Sequence, residues 1–426
     1  MKLRIHGGRV IDPANGIDMI ADLCIEGGRI TSVGVTPEGF SADREIDASG
    51  SIVCPGLVDL QARLREPGQS HKGNIDTETT AAAAGGVTTL CCPPDTDPVT
   101  DTPAVANLIR ELAELCGRTR VLPIGAITPG LRGEQICEMV ILSQAGCIAF
   151  SNAEHPISNT EVLRRAMEYA ASHDLTLLLR PQDPWLATAG CAHEGAVSTR
   201  LGLPGIPEFA ETLEVARLLT LVDRTGARTH IGPLSTARAV QMIGRAQFDG
   251  LPVSASVAIP HLHLTEMDIS DFNSQCHLRP PLRTQRDQEG LRQGLAKGVV
   301  TAICSDHQPH DVDAKLAPFA ATEPGASGLE TLLPLSLRLS DQGIVALPDL
   351  IATLTCYPAR ILGIPSGTLS HGASANICIF DPEQYWTVGP ETLLSYGHNT
   401  PFLGWELKGR VTHTLLEGRL VHELNG

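Results

Sequence analysis

Eight short apolar runs, at 57–60, 87–91, 121–126, 147–150, 176–179, 228–231, 253–257 and 299–304, punctuate the middle of this chain. Between them fall segments of helical spacing at 77–84, 102–115, 160–172, 208–224 and 238–247. Strands with parallel neighbours are covered on both faces, so they read as unbroken apolar runs, and each needs a crossover to bring the chain back. The alternation therefore predicts an α/β fold, and eight units is the count of a closed (β/α)8 barrel of the TIM type. Hydrophobic residues make up 42% of the chain and aromatics only 4%, so such a wall must be built from Leu, Ile, Val and Ala. In this architecture chemistry sits at the C-terminal ends of the strands, which makes those positions the ones that decide function.

The two ends of the chain have a different texture. Alternating runs at 2–6, 10–11, 23–26 and 29–33, broken by Gly7-Gly8, Asp12-Pro13 and Gly27-Gly28, return in style at 375–381 and 411–422. This predicts that 1–54 and 366–426 pair into one composite β domain beside a barrel spanning 55–365. Lys and Arg number 32 against 48 Asp and Glu, a formal charge of −16. That balance repels nucleic acid and anionic membrane, and no basic tract offsets it. The twelve cysteines show no Cys-x-x-Cys spacing, which excludes a thiolate zinc knot and fits buried thiols in a reducing cytoplasm. The N-terminus lacks the long apolar core of a signal peptide, and no run of 18 apolar residues occurs, so a cytoplasmic protein is expected.

The end of the first apolar run carries Gln61 and Arg63. Residues two apart on a strand share a face, so a His-x-His pair there would put two imidazoles on one metal. An amide and a cation stand in those places. The surrounding frame, Pro55-Gly-Leu-Val-Asp59 and Leu64-Arg-Glu-Pro-Gly68, then Gly85-Gly-Val-Thr-Thr89, Pro280-Pro-Leu-Arg283 and Ser305-Asp-His-Gln-Pro-His310, resembles the dihydroorotases of the amidohydrolase superfamily almost from end to end. The resemblance implies an amidohydrolase-type barrel with a small composite β-sandwich from both termini.

It further implies a metal held by His-x-His after strand one, a carbamylated lysine or aspartate after strand four, histidines after strands five and six, and an aspartate after strand eight. Mapped onto this chain, those positions are Gln61 and Arg63, Asn152, Arg180, Pro233 and Asp306, of which Asp306 alone keeps the family's residue. On the substrate side the resemblance assigns Arg65 to a carboxylate and retains His310, whereas Asp95 and Arg279 stand where asparagines are usual. A guanidinium about 4 Å from a dication is repelled by roughly 8 kcal/mol at an effective dielectric near 20, and arginine does not escape by losing its proton. The expectation is a barrel with no metal or other cofactor, no catalytic residue, and Asp306, Arg65, Asp95, Arg279 and His310 as vestiges. Arg63 or Arg180 is expected to pair with Asp306 or Asp95, the carboxylates orphaned by metal loss.

Other histidines have competing readings. His261 and His263 form a second His-x-His that could rebuild a metal site, though an ordinary hydrogen-bonded pair is the blander alternative. His230, three residues before Pro233, is expected by strand parity to face away from the lumen. Asp306 with His307 and His310 reads as either an acid–base cluster or a remnant, and 311–325 as either a lid or a surface loop.

The resemblance extends to dihydroorotase homologues that lack the metal ligands and assemble with aspartate carbamoyltransferase, which implies a non-enzymatic, structural subunit for that enzyme's catalytic chain in pyrimidine biosynthesis. A hetero-oligomer of up to twelve chains is the expected form. The alternatives are a divergent metal-dependent cyclic amidohydrolase, converting N-carbamoyl-L-aspartate to dihydroorotate with a rebuilt site at His261, His263, His310 and Asp306, and an anion-binding protein using Arg63, Arg65, Arg180 and Arg279.

Overall fold

The structure is a computed structural model that describes residues 2–424. Eight parallel strands follow one another in chain order: β1 Leu57–Asp59, β2 Val87–Cys92, β3 Arg120–Pro123 with its continuation Gly125–Ala126, β4 Phe150–Ser151, β5 Leu177–Leu179, β6 Thr229–Leu234, β7 Val253–Ala258 and β8 Ala302–Cys304. Each hydrogen-bonds to the next, from Leu57 opposite Val87 round to Ser256 opposite Ala302. They form two parallel sheets that share the β3 segment. Just beyond the ends of β1 and β8 the outer edges meet in a parallel bridge between Ala62 and His307, where the Arg63 N–H donates to the His307 carbonyl at 2.9 Å.

Side chains sort into two layers, by strand parity except in β2, where the register shift against β1 puts Val87 and Leu90, three apart, in the same layer. Leu57, Val87, Leu90 and Phe150 face the helices, while Val58, Leu60, Cys91, Leu122, Ile124, Ala149, Ala302 and Cys304 pack together on the other face. Small residues dominate that second layer because it is the crowded, concave one. The helices form where the spacing places them. Helix Pro103–Cys116 buries Val105, Ala106, Ile109 and Ala113 on one stripe, starts at a proline that needs no N–H partner, and stops at Gly117 with φ 62°. The first helix, α1 Ile75–Ala84, opens with Asn74 and Thr77 exchanging side-chain and backbone hydrogen bonds as a capping box.

The termini build the rest. A six-stranded sheet runs Arg419–Glu423, Glu406–Leu416, Ile377–Thr387, Ile52–Pro55, Arg9–Asp12, Ile17–Ile20, so segments from the two ends of the chain lie side by side. A four-stranded sheet containing Lys2–His6 faces it, and Leu3, Ile5, Leu23, Ile25, Val53, Ile377, Ile379 and Leu415 fill the space between. The strands at 17–20, 44–47 and 52–55 are the ones the sequence pattern did not separate from turns: each is only four residues long, the first two are largely exposed, and the third is wholly buried.

One buried carboxylate ties these parts together. Glu78 of α1 accepts from His307 Nε2 at 2.8 Å, Ser395 Oγ at 2.6 Å, the Tyr396 N–H at 3.1 Å and Thr77 Oγ1 at 2.8 Å. Burial opposes its charge, but these donors, His307 foremost, hold its pKa below the ordinary value. His307 Nδ1 faces the Gly328 N–H at 3.1 Å, and Nε2 is the ring's donor to Glu78. This fixes the turn after β8 against the helix after β1. Removing one partner of a buried charge strands the others, so Glu78→Ala is expected to cost about 3–5 kcal/mol, read as a fall in the urea midpoint with an unchanged slope.

Candidate functional site

The mouth of the parallel wall is built by residues just past the strand ends. After β1 come Gln61, Arg63 and Arg65; after β2, Asp95; after β4, Glu154; after β5, Arg180; and after β8, Asp306, Gln308 and His310. Arg63 is the hub. Its Nε donates to Asp95 Oδ2 at 2.8 Å, its Nη2 stands 3.2 Å from Glu154 Oε1, and its Nη1 stands 3.7 Å from Asp306 Oδ1. Arg180 Nη1 donates to the same Glu154 oxygen at 3.0 Å. Both arginine side chains are only 6% exposed. Gln61 Nε2 donates to Asp306 Oδ1 at 2.5 Å, and Gln308 Nε2 reaches Asp306 and Glu154 at 3.3 Å each.

Glu154 is the residue that sequence reasoning missed. It lies two places beyond Asn152, and the signal was an acid directly after the end of a parallel strand, the place where a counter-charge for Arg63 and Arg180 has to come from. Asn152 itself is not in the mouth. Its Oδ1 accepts from the Thr128 N–H and Oγ1 and its Nδ2 donates to the Leu131 and His155 carbonyls, so it serves the loop. Pro233 is buried in β6 and brings no polar side chain to the mouth.

Arg65 turns away from the cluster with φ 62°. It donates from Nε to the Pro309 carbonyl at 2.9 Å and from Nη1 to Gln69 at 3.2 Å, with Nη2 3.1 Å from His310 Nε2. Burial, then the charge of Arg63, lowers its pKa to about 10. Burial together with Arg65 and Lys72 pushes His310 down to about 3, so it is a neutral imidazole.

The two readings of His261 and His263 resolve to the hydrogen-bonded pair, and the expectation for His230 is corrected. His261 Nε2 is engaged with the Pro280 carbonyl and His263 Nε2 with the Leu335 carbonyl, each at 2.9 Å, so the pair holds loops and does not converge on one point. His230 faces inward, not outward: Nδ1 and Nε2 sit 2.9 Å from Ser254 Oγ and Ser256 Oγ, and the ring lines the cavity inside the wall. The pairing register of β6 shifts between Ile231 and Leu234, and that irregularity defeats a count of parity back from Pro233. The segment 311–325 is pinned by Lys72 to Glu323 at 2.6 Å and by Asn399 to the Gly325 carbonyl at 3.1 Å.

The electrostatics follow from burial against pairing. Burial works against the charge of Arg63, but Asp95, Glu154 and Asp306 outweigh it and raise its pKa above the ordinary value. Glu154 is likewise penalised by burial, yet Arg180, Arg63, Arg279 and Arg65 pull it down to about 2. Asp306 goes the other way. Burial raises it to about 6, because the Arg180 and Arg63 guanidiniums recover less than burial costs and Glu154 repels it. Asp59, buried beneath and bonded to the Ser305 N–H and hydroxyl, is also pushed up to about 6.

A divalent metal of the amidohydrolase kind does not fit this set. Arginines occupy two of the places from which ligands would reach it, and among the described residues no group of three or more His, Cys, Asp or Glu side chains can hold a metal ion.

A Dihydro-orotase-like family model matches residues 50–239. A "Dihydroorotase-like protein" of Pseudomonas aeruginosa is 51% identical over 423 residues, 99% of this chain and all of that one. The chain belongs to the dihydroorotase-like family. A "Dihydroorotase" of Syntrophotalea carbinolica is 44% identical over 425 residues, the full length of both chains. Among solved structures, the L-hydantoinase (dihydropyrimidinase) of Arthrobacter aurescens superposes with a TM-score of 0.88 at 23% identity, over 99% of this chain and 96% of that one, a likeness of fold.

The family relatives overturn one expectation, that this chain is not an enzyme. Full-length relatives 41–44% identical carry the name Dihydroorotase, which points to an enzyme. Replacing a ligand set speaks to the metal, and not to every group at the mouth that can bind or move a proton.

Asp306 gives a signed test of this electrostatic picture. Its folded pKa of about 6 lies above the ordinary 3.8, so the fold binds that proton more tightly than the unfolded chain does. The stabilisation is complete below about pH 4 and lost as pH rises to about 6. Asp306→Asn keeps no such titration. Its stability relative to the parent is expected to rise by about 2–3 kcal/mol between pH 4 and pH 7, mostly below pH 6, in urea unfolding at unit pH steps.

Proposed function

We propose that this chain serves the dihydroorotase step of pyrimidine biosynthesis, the closure of N-carbamoyl-L-aspartate to dihydroorotate, and does so docked on the catalytic chain of aspartate carbamoyltransferase. Full-length identity to proteins named Dihydroorotase supports the reaction half. Ring closure joins the ureido nitrogen to the side-chain carboxyl carbon and releases water, so a proton must leave the nitrogen and one must reach the departing oxygen. Asp306, pushed up to about 6, is the mouth's one carboxyl poised to trade a proton near neutrality, and Arg65 and Arg279 are the cations able to face a substrate carboxylate.

The sealed mouth supports the partner half. The interior cavity beneath Arg63 and Arg180 is about 30 Å³, too small for a ureide ring, and the cations around it are held by carboxylates of the same chain. Work done by this chain therefore involves either an opened mouth or its outer surface, and a docked partner provides for both. Twelve unpaired cysteines support a reducing cytoplasm as the place of assembly, and no helix among the described residues is long and apolar enough to cross a membrane.

The test mixes purified chain with the carbamoyltransferase, measures mass by native mass spectrometry, and follows carbamoyl-aspartate cyclisation for each protein alone and for the mixture. A stable mixed complex of up to twelve chains is expected, with cyclisation above that of the carbamoyltransferase alone and at least about tenfold lower with Asp306→Asn. Separate species would overturn the partner half. Cyclisation at the uncatalysed rate in every sample would overturn the reaction half.

A further inference from the structure

We propose that the position where this fold would carry a metal cation instead binds a small monovalent anion of the halide class, inside the parallel wall between Arg63 and Arg180. The inference rests on the site's own geometry and does not depend on the ring-closure reading.

Three independent observations converge on it. The first is the surplus of buried donors. Nη1 and Nη2 of Arg63 and Nη2 of Arg180 have no hydrogen-bond partner in the protein, although both side chains are only 6% exposed. Glu154 and Asp306 lie near Arg63 without the alignment of a hydrogen bond, so the ion pairs neutralise charge but leave the N–H groups unspent. Buried guanidinium donors without acceptors are costly and rare, and an anion is the ligand that answers them.

The second is the charge balance. The charges of Arg63, Arg65, Arg180 and Arg279 all reach Glu154, against which the mouth sets the three carboxylates Asp95, Glu154 and Asp306. Counting Asp59 as ionised as well brings the sum only to zero. A cation would add to the arginine charge, whereas a monovalent anion compensates it.

The third is the cavity. It holds about 30 Å³ and is lined by Gln61, Arg63, Ser151, Arg180, His230 and Ser256 among others, with no Asp or Glu in its wall. One water needs about 10–15 Å³ on this measure, so the space suits a single halide with little to spare and excludes a bulky organic acid. Ser151 Oγ already accepts from the Ala153 N–H at 3.0 Å, which leaves its hydroxyl proton free to point inward. The carboxylates sit behind the guanidiniums, so an anion in the cavity meets donors first.

The experiment uses the full chain with chloride and bromide as probes. Thermal unfolding is followed across a sodium chloride series held at constant ionic strength with sodium gluconate, whose anion is too large to enter. A saturable rise in melting temperature with chloride is expected, and crystals grown in sodium bromide are expected to show an anomalous peak between Arg63 and Arg180. Arg180→Gln should raise the chloride midpoint about tenfold or more. Ser151→Ala, a milder change that keeps every ion pair, should raise it by a smaller factor. Equal melting in the two salts, or bromide on the surface alone, would overturn the proposal. If Arg180→Gln fails to fold, the bromide map and the Ser151→Ala series still decide it.

Discussion

Everything at the mouth of this wall is arranged around the burial of one guanidinium. Arg63 cannot shed its proton, so a chain that places it under the strand ends has to bring carboxylates to it, and Asp95, Glu154 and Asp306 arrive from three different strands. Arg180 then shares Glu154, and Gln61 and Gln308 donate to the same Asp306 Oδ1 that Arg63 approaches. The same electrostatics that make these places unsuitable for a metal cation leave N–H groups pointing into a small cavity. A site of one sign has become a site of the other without a change of fold.

The scaffold below is indifferent to that exchange. Its stability comes from Leu, Ile, Val and Ala in alternating layers and from the junction at Glu78, which binds the helix after β1, the turn after β8 and the C-terminal segment at 395–396. His307 illustrates the division of labour. It stands beside Asp306 in sequence, yet its ring is wholly committed to Glu78 and Gly328, which makes it a strut of the wall and not a group of the mouth.

Much of this was legible in the chain before any coordinates. The parallel strands announce themselves as apolar runs because both of their faces are covered, and helix starts such as Asn74 and Thr102-Pro103 carry their own chemistry. The expectation that Arg63 or Arg180 pairs with Asp306 or Asp95 comes from the family resemblance that sets them at one mouth together with charge neutrality, and Arg63 meets both carboxylates. Two kinds of feature were not legible. Glu154 was not singled out, since its own neighbours in sequence do not distinguish a carboxylate that folds back over a strand end from one that faces water. His230 was read on the wrong face because parity holds only where register holds, and the shift after Ile231 is a long-range property of the β6–β7 pair. Likewise His261 and His263 share a spacing that suits a metal, but the turn that carries them sends one ring to Pro280 and the other to Leu335.

The sharing of Glu154 by two arginines couples several positions of the chain. Neither Arg63 nor Arg180 can be neutralised alone without leaving the other to face the acid cluster, and Glu154 cannot be lost without stranding two buried cations. Substitutions at 61, 63, 154 and 180 are therefore non-additive: the cost of each depends on which residues stand at the rest. Variation at the mouth is constrained as a set, and positions changed one at a time each meet a penalty that a concerted change avoids.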